Sequence, residues 1–246
     1  MPGYLQEIFS SVQGEGPYVG CRQIFVRFAG CNWDCAYCDT PDQTNPVSFL
    51  LEPTPGQRNF IMLSNPREPE ELAGILHQYF DLSRHHSISL TGGEPLVHAD
   101  YIKALVKLIS GTRQGIFLET NGTMPAELAK VINHIAIISM DIKLASATGR
   151  ATPWDLHREF LKIAARQEVY LKIVVSDATK DEELHQAAKL MAELSPRAEL
   201  VLQPVTPRSG IVPPSADRIL WMQEQALAYV ANVRVIPQTH RMMGQL

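Results

Sequence analysis

Residues 87–119 read SISLTGGEPLVHADYIKALVKLISGTRQGIFLE. Ser87 to Leu90 has strand length and ends in Thr91-Gly92-Gly93. Ile102, Leu105, Val106 and Ile109 then recur at helical spacing, and Gly115 to Glu119 reads as a second strand. Strand, helix and strand in this order form a unit whose two strands run parallel beneath the helix.

The unit repeats in both directions. Upstream, Leu72, Ala73, Ile75, Leu76, Tyr79 and Phe80 mark a helical face introduced by Glu68, Glu70 and Glu71, and an earlier strand is predicted over 23–29. Downstream, strands are predicted over 135–139, 169–175, 200–205 and 233–236. Helices near 125–133, 154–165, 184–191 and 219–230 fall between them. The pattern predicts one α/β domain over residues 1–246, with a parallel sheet that is doubly wound or closes toward a barrel. Residues 41–66 lack periodicity and carry several prolines, so they read as a long irregular excursion.

Polar residues gather where the strands end: Thr91, Glu119-Thr120-Asn121, Ser139 and Asp141, then Gln203. One such residue is an ordinary cap or turn. Recurrence on strand after strand points to a ligand site at the carboxyl ends of a parallel sheet.

Composition narrows the class. Among 246 residues, 22 Lys and Arg stand against 26 Asp and Glu, for a net charge of −4. That balance argues against a large nucleic-acid surface. No apolar run approaches the roughly 18 residues that span a bilayer, so no membrane partner is expected. The first basic residue is Arg22, without the charged start of a secretory signal, and a cytoplasmic location is expected.

Three of the four cysteines lie within Cys31-Asn-Trp-Asp-Cys35-Ala-Tyr-Cys38. Cys21 lies upstream of the first predicted strand and reads as a plain buried thiol. Zinc commonly takes four ligands arranged as two separated pairs. Three thiolates without a partner pair suit an iron–sulfur cluster with one iron left open.

The Cys-x3-Cys-x2-Cys spacing, with an aromatic residue before the third cysteine, resembles the signature of the radical S-adenosylmethionine superfamily. Thr91-Gly92-Gly93-Glu94-Pro95 resembles that superfamily's second motif. The resemblance implies a partial (β/α)6-type barrel of parallel strands with outer helices. It also implies one 4Fe–4S cluster on Cys31, Cys35 and Cys38, with S-adenosylmethionine on the open iron. Reductive cleavage then yields a 5′-deoxyadenosyl radical. Contacts to the cofactor fall on Tyr37, Cys38, Asp39, Gly93, Glu94, Glu119, Ser139 and Asp141. The stretch Ser139-Met-Asp141-Ile-Lys143 departs from the shorter form common in the family, and Asp141 with Lys143 can equally form a structural ion pair. Lys172, mid-strand, is expected to point toward Glu119 in a structural role.

Within the superfamily, Val12-Gln13-Gly14-Glu15-Gly16, Arg27, Asp39-Thr40 and the segment Pro237–Leu246 resemble the 7-carboxy-7-deazaguanine synthase family, carbon–nitrogen lyases of the queuosine and 7-deazapurine pathways. This resemblance implies a 6-carboxy-5,6,7,8-tetrahydropterin substrate held by Val12, Gln13, Gly14, Glu15, Arg27, Thr91, His240 and Leu246. Thr40 would bind Mg²⁺. Hydrogen removal at C6, ring contraction and loss of ammonia would come next, with the cofactor regenerated. A flavodoxin- or ferredoxin-type electron donor and a homodimer are implied as partners. Two alternatives are an enzyme that installs a glycyl radical on a partner protein and a non-redox zinc scaffold. Asn121-Gly-Thr123 matches a glycosylation acceptor, and His85-His86 lacks ligand spacing; both are set aside.

Overall fold

The alternation of strands and helices is realised in the computed structural model, which describes residues 2–36, 38, 43–208 and 210–245. Tyr37, Asp39, Thr40 and Leu246, each assigned a role above, lie outside the described residues. The strands are β1 (Leu5–Val12), β2 (Arg22–Phe28), β3 (Ser48–Leu51), β4 (Ile61–Ser64) and β5 (Ser87–Gly92). They continue with β6 (Ile116–Thr120), β7 (Ile137–Ile142), β8 (Glu168–Val175), β9 (Leu200–Pro204) and β10 (Val233–Val235). The sheet order is β10-β9-β8-β7-β6-β5-β2-β1-β3-β4.

From β10 to β2 every neighbouring pair is parallel. The ladder runs from one edge strand to the other, an open arc rather than a closed ring among the described residues. Beyond β2 the arrangement departs from the sequence expectation. β1 pairs with β2 antiparallel, β3 adds parallel to β1, and β4 returns antiparallel to β3. The 41–66 stretch therefore contains a β-hairpin that widens the sheet. Its strands have four residues each, too short to leave a period in the sequence.

The helices are α1 (Pro69–Tyr79), α2 (Ala99–Leu105), α3 (Pro125–Val131), α4 (Ala145–Thr148), α5 (Trp154–Ala164), α6 (Asp181–Leu194), α7 (Ala216–Leu227) and α8 (Thr239–Met242). α1 starts where expected because Glu68 and Glu71 form a reciprocal capping box. α2 is shorter than its apolar pattern: a 3₁₀ turn at Pro95–His98 precedes it, and Val106 and Ile109 stay buried in the turns after it. No described helix is long and apolar enough to cross a membrane.

The core has two parts, on the two faces of the parallel strands. One face meets the helices: Leu72 and Leu76 of α1, Phe160 and Leu161 of α5 and Leu184 and Met191 of α6 pack on Ile88, Leu118, Ile138 and Leu171. Phe160 is fully buried, and truncating such a residue to Ala costs about 3–5 kcal/mol. The other face carries a small plug of Phe117, Ile137, Tyr170 and Val201. Two residues further along three of these strands stand Glu119, Ser139 and Lys172. The inner face is thus apolar toward the strand beginnings and polar toward their ends, which locates the site.

Candidate functional site

A cavity of about 270 Å³ opens on this inner face. The register aligns its wall: Arg27 lies level with Thr91, Glu119 with Ser139, and Asp141 with Lys172. All six line the cavity, as do Cys31, Cys35 and Cys38 from the loop after β2. Val12, Gln13, Gly14 and Glu15 enter from β1 and the turn after it, and His240 enters from α8. Gly93 lines it as well.

Among the described residues, Glu94 is the expected site residue that does not line the cavity. Its carboxylate is fully buried and accepts from the Leu96 N–H at 3.1 Å, the Thr120 hydroxyl at 2.9 Å and the Asn121 N–H at 2.7 Å. Burial outweighs these donors and pushes its carboxyl up to about 7. Glu94 thus ties the turn after β5 to the end of β6. Gly92 and Gly93 let that turn approach β2: a Cβ on Gly92 would strike the Phe28 carbonyl, and one on Gly93 the Gly30 carbonyl.

The cysteine loop is anchored from the side. Asn32 donates to the Thr123 hydroxyl at 2.8 Å and accepts from the Asn121 amide at 2.8 Å. The Asn121-Gly-Thr123 triplet, set aside on sequence, is buried and serves as this anchor. Nothing in the sequence pairs Asn32 with it, since Thr123 lies 91 positions further on.

Burial pushes the Cys31 thiol up, against a lowering hydrogen bond from the Trp33 N–H, and pushes Cys35 up to about 11, against the nearby charge of Lys143. Metal binding at such a loop must displace protons. Among the described residues no three His, Cys, Asp or Glu side chains could hold one metal ion. Three thiolates that each ligate a different iron need not converge on one centre. The donor set, three soft sulfurs on one loop facing one cavity, fits a cluster with an open iron. Cys21 lies outside the cavity lining, but it is half-buried rather than buried as expected.

The charged girdle is more connected than the sequence suggested. Glu119 accepts from Gln13 at 2.8 Å, Ser89 at 3.1 Å and Thr91 at 2.7 Å. Lys172 pairs with Glu15 rather than with Glu119, its expected partner, and lies 3.6 Å from Asp141. Asp141 takes Lys143 at 2.8 Å, the ion pair foreseen as one reading of the Ser139–Lys143 stretch. Arg27 pairs with Glu7 at 2.7 Å while lining the cavity. Burial alone would raise the Glu15 carboxyl, but the charge and hydrogen bond of Lys172, aided by Gln238, hold it down at about 2.

The C-terminal segment closes one side. The Gly14 carbonyl accepts from the Thr239 N–H at 2.9 Å, and Gln238 donates to Glu15 at 2.7 Å. A Cβ on Gly14 would land on the His240 ring, so glycine is required for this approach. Arg58 of the 41–66 excursion donates to the Gly244 carbonyl at 2.8 Å, which ties that hairpin to the tail. Gln238 and Arg58 had no individual signal, because their partners lie 223 and 186 residues away.

The Radical SAM superfamily model matches residues 25–191, and the chain belongs to that superfamily. A 7-carboxy-7-deazaguanine synthase of Geobacter sulfurreducens is 44% identical over 244 residues, covering 98% of this chain and 97% of that protein. One from Methanothermobacter thermautotrophicus is 35% identical over 257 residues, covering 97% and 96%. The chain is therefore an enzyme of the 7-carboxy-7-deazaguanine synthase family. The crystal structure of QueE from Escherichia coli matches the fold with a TM-score of 0.61 at 22% identity, over 98% of this chain and 95% of that one. Superfamily membership brings a 4Fe–4S cluster and S-adenosylmethionine, and it displaces the zinc-scaffold alternative.

Proposed function

We propose that this enzyme converts 6-carboxy-5,6,7,8-tetrahydropterin to 7-carboxy-7-deazaguanine by ring contraction and loss of ammonia. The observation that carries the reading is one cavity shared by three thiols, a carboxylate-and-ammonium girdle and the C-terminal segment. The cluster and S-adenosylmethionine, when bound, supply the radical that removes hydrogen from C6 of the pterin. The protein's own residues bind, orient and exclude water.

In this reading Cys31, Cys35 and Cys38 hold the cluster. Gly93, Glu119, Ser139 and Asp141 face S-adenosylmethionine. Asp141 keeps one buried oxygen, Oδ1, without a hydrogen-bond partner, a fit for a cofactor donor. Glu94 supports the cofactor through the backbone it braces, rather than by direct contact. Val12, Gln13, Gly14, Glu15, Thr91 and His240 meet the pterin, and Arg27 meets its carboxylate, for which a planar guanidinium is well shaped. Glu7 holds that guanidinium in place until the substrate arrives. Tyr37, Asp39 and Leu246 complete the contacts, and Thr40 holds Mg²⁺ with water and substrate oxygens. A flavodoxin- or ferredoxin-type protein delivers the electron, and the chain works as a homodimer in the cytoplasm.

The glycyl-radical alternative needs the cavity to admit a loop of another protein. Gln238 and His240 form a wall of it instead.

The test is an anaerobic assay with reconstituted enzyme, S-adenosylmethionine, reductant, Mg²⁺ and the carboxy-tetrahydropterin, read by mass spectrometry. A deazaguanine product is expected. Release of 5′-deoxyadenosine without that product, from cluster-replete enzyme, would sink the substrate assignment.

A further inference from the structure

We propose that Lys172 is a positioning residue for the substrate half of the site, setting the depth of the 13–16 turn through Glu15. The assignment rests on the reading in which Glu15 meets the pterin.

A lysine is costly at this place. β8 is a central strand between β7 and β9, and the neighbours of Lys172, Leu171 and Ile173, are fully buried. The Lys172 side chain is 13% exposed. An ammonium so placed persists only when paired, because desolvation otherwise favours an apolar replacement.

Two carboxylates are within reach, and they differ in need. Asp141 already has Lys143 at 2.8 Å, whereas Lys172 stands 3.6 Å away. Glu15 has its direct ion pair with Lys172. Its side-chain hydrogen bond from Gln238 is neutral, and the nearby His240 adds only the smallest of the favourable charge effects on it. Glu15 is therefore the group that Lys172 serves.

The consequence of that pair is geometric. Lys172 extends from a rigid strand, while Glu15 sits on a turn and Gln238 on the segment after β10. The Glu15 N–H donates to the Gln13 side chain at 3.0 Å, and Gln13 in turn donates to Glu119. Thr239, next to Gln238, donates to the Gly14 carbonyl. The ammonium thus fixes one carboxylate on which both the turn and the C-terminal segment are hung. The residue lines the pocket and, in this assignment, acts on it through Glu15.

The experiment uses reconstituted holoenzyme at saturating S-adenosylmethionine, with the carboxy-tetrahydropterin varied. Four variants are compared with wild type: Lys172→Met, Lys172→Arg, Glu15→Gln and the double variant Lys172→Met/Glu15→Gln. Lys172→Met is expected to raise KM for the pterin at least about tenfold, because it leaves a buried carboxylate unpaired. Its kcat is expected to stay within about threefold of wild type, the pattern of a lost binding geometry. Lys172→Arg keeps the charge and is expected to recover most of the KM. The double variant is expected to be no worse than Glu15→Gln alone, since a residue that acts only through Glu15 has nothing left to position.

An unchanged pterin KM in Lys172→Met overturns the proposal, as does a loss confined to kcat. A double variant far below Glu15→Gln overturns it too. Circular dichroism and cluster absorbance verify that each variant is folded and loaded. If Lys172→Met does not fold, the double variant decides: a KM matching that of Glu15→Gln alone supports the assignment, and one far above it overturns it. A wild type that makes no product overturns the substrate reading, and this assignment with it. An active wild type beside a Lys172→Met of unchanged KM overturns the assignment alone.

Discussion

Asn32, one residue past the first cysteine of the loop, donates to the hydroxyl of Thr123 beyond β6 at 2.8 Å. A loop that carries three thiols is thereby referenced to a parallel strand two places away in the sheet rather than only to its own. Trp33 adds a local brace, its N–H 3.3 Å from the Cys31 sulfur.

Removing that reference should loosen the loop and spare the fold. Asn32→Ala deletes hydrogen bonds to Thr123 and Asn121, each worth about 1 kcal/mol. The reconstituted variant is expected to lose its visible absorbance severalfold faster than wild type under a chelator. Its melting temperature should fall by no more than about 4–8 °C. Equal rates of loss would show that the anchor is irrelevant to the cluster.

The cysteines should divide three to one. Cys31→Ala, Cys35→Ala and Cys38→Ala are each expected to abolish the broad absorbance near 400 nm that marks an iron–sulfur cluster, after anaerobic reconstitution. Cys21→Ala should retain it, because that residue lies outside the cavity lining. Loss of the chromophore in Cys21→Ala would place a fourth thiol in the centre.

Acid should find His157. This imidazole is fully buried, donating to the Gly122 carbonyl at 3.0 Å and accepting from the Lys143 N–H at 3.1 Å. Burial lowers its pKa from 6.5 to about 4. As pH falls from 6.5 toward 4 the unfolded chain takes a proton that the native state refuses, so stability declines over that window. The whole effect is bounded at about 3 kcal/mol. Urea midpoints across that range, compared between wild type and His157→Gln, should show the acid slope reduced in the variant.

Glu94 should tilt the opposite way. Its native carboxyl is raised from 4.5 to about 7, so the native state holds a proton that the unfolded chain has released. The stability linked to that proton is present below pH 4.5 and is lost as pH rises through 7. The two groups partly cancel, and wild type is expected to look flat between pH 5 and 6.5. Glu94→Gln removes one slope and should expose the His157 limb in the same urea series. If both variants match wild type at every pH, neither group titrates as described. Glu94→Ala is a separate measure: it strands the donors of Leu96, Thr120 and Asn121, and should cost about 2–4 kcal/mol.

The parallel strands and their helices were legible because each combines a buried run with a helical period, as in Ser87–Leu90 and then Ile102 and Leu105. The cysteine loop and the Thr91–Pro95 turn were legible because their chemistry is local. What escaped was set by register and by long-range pairing. β1 carries Leu5, Ile8 and Phe9 as buried residues, but its antiparallel place beside β2 depends on partners such as the stacked rings of Phe9 and Phe25. Lys172 was seen as a charge in a strand. Which carboxylate it meets depends on how far the 13–16 turn reaches, and no spacing along β8 records that distance. Glu94 shows the reverse case: its motif was found, while its carboxylate takes the Leu96 and Asn121 N–H groups and the Thr120 hydroxyl.

The tie between Gly14 and Thr239 has a consequence for biosynthesis. A nascent chain that has emerged through residue 230 could already pair β1 to β9 and present its cysteine loop, with the wall built from Gln238 and His240 still missing. Loading of iron and completion of the pocket are then separable in time. A cluster inserted during that interval would meet solvent from a side that the finished enzyme covers. Late loading, after the last turns have docked, would spare the cluster that exposure to oxygen.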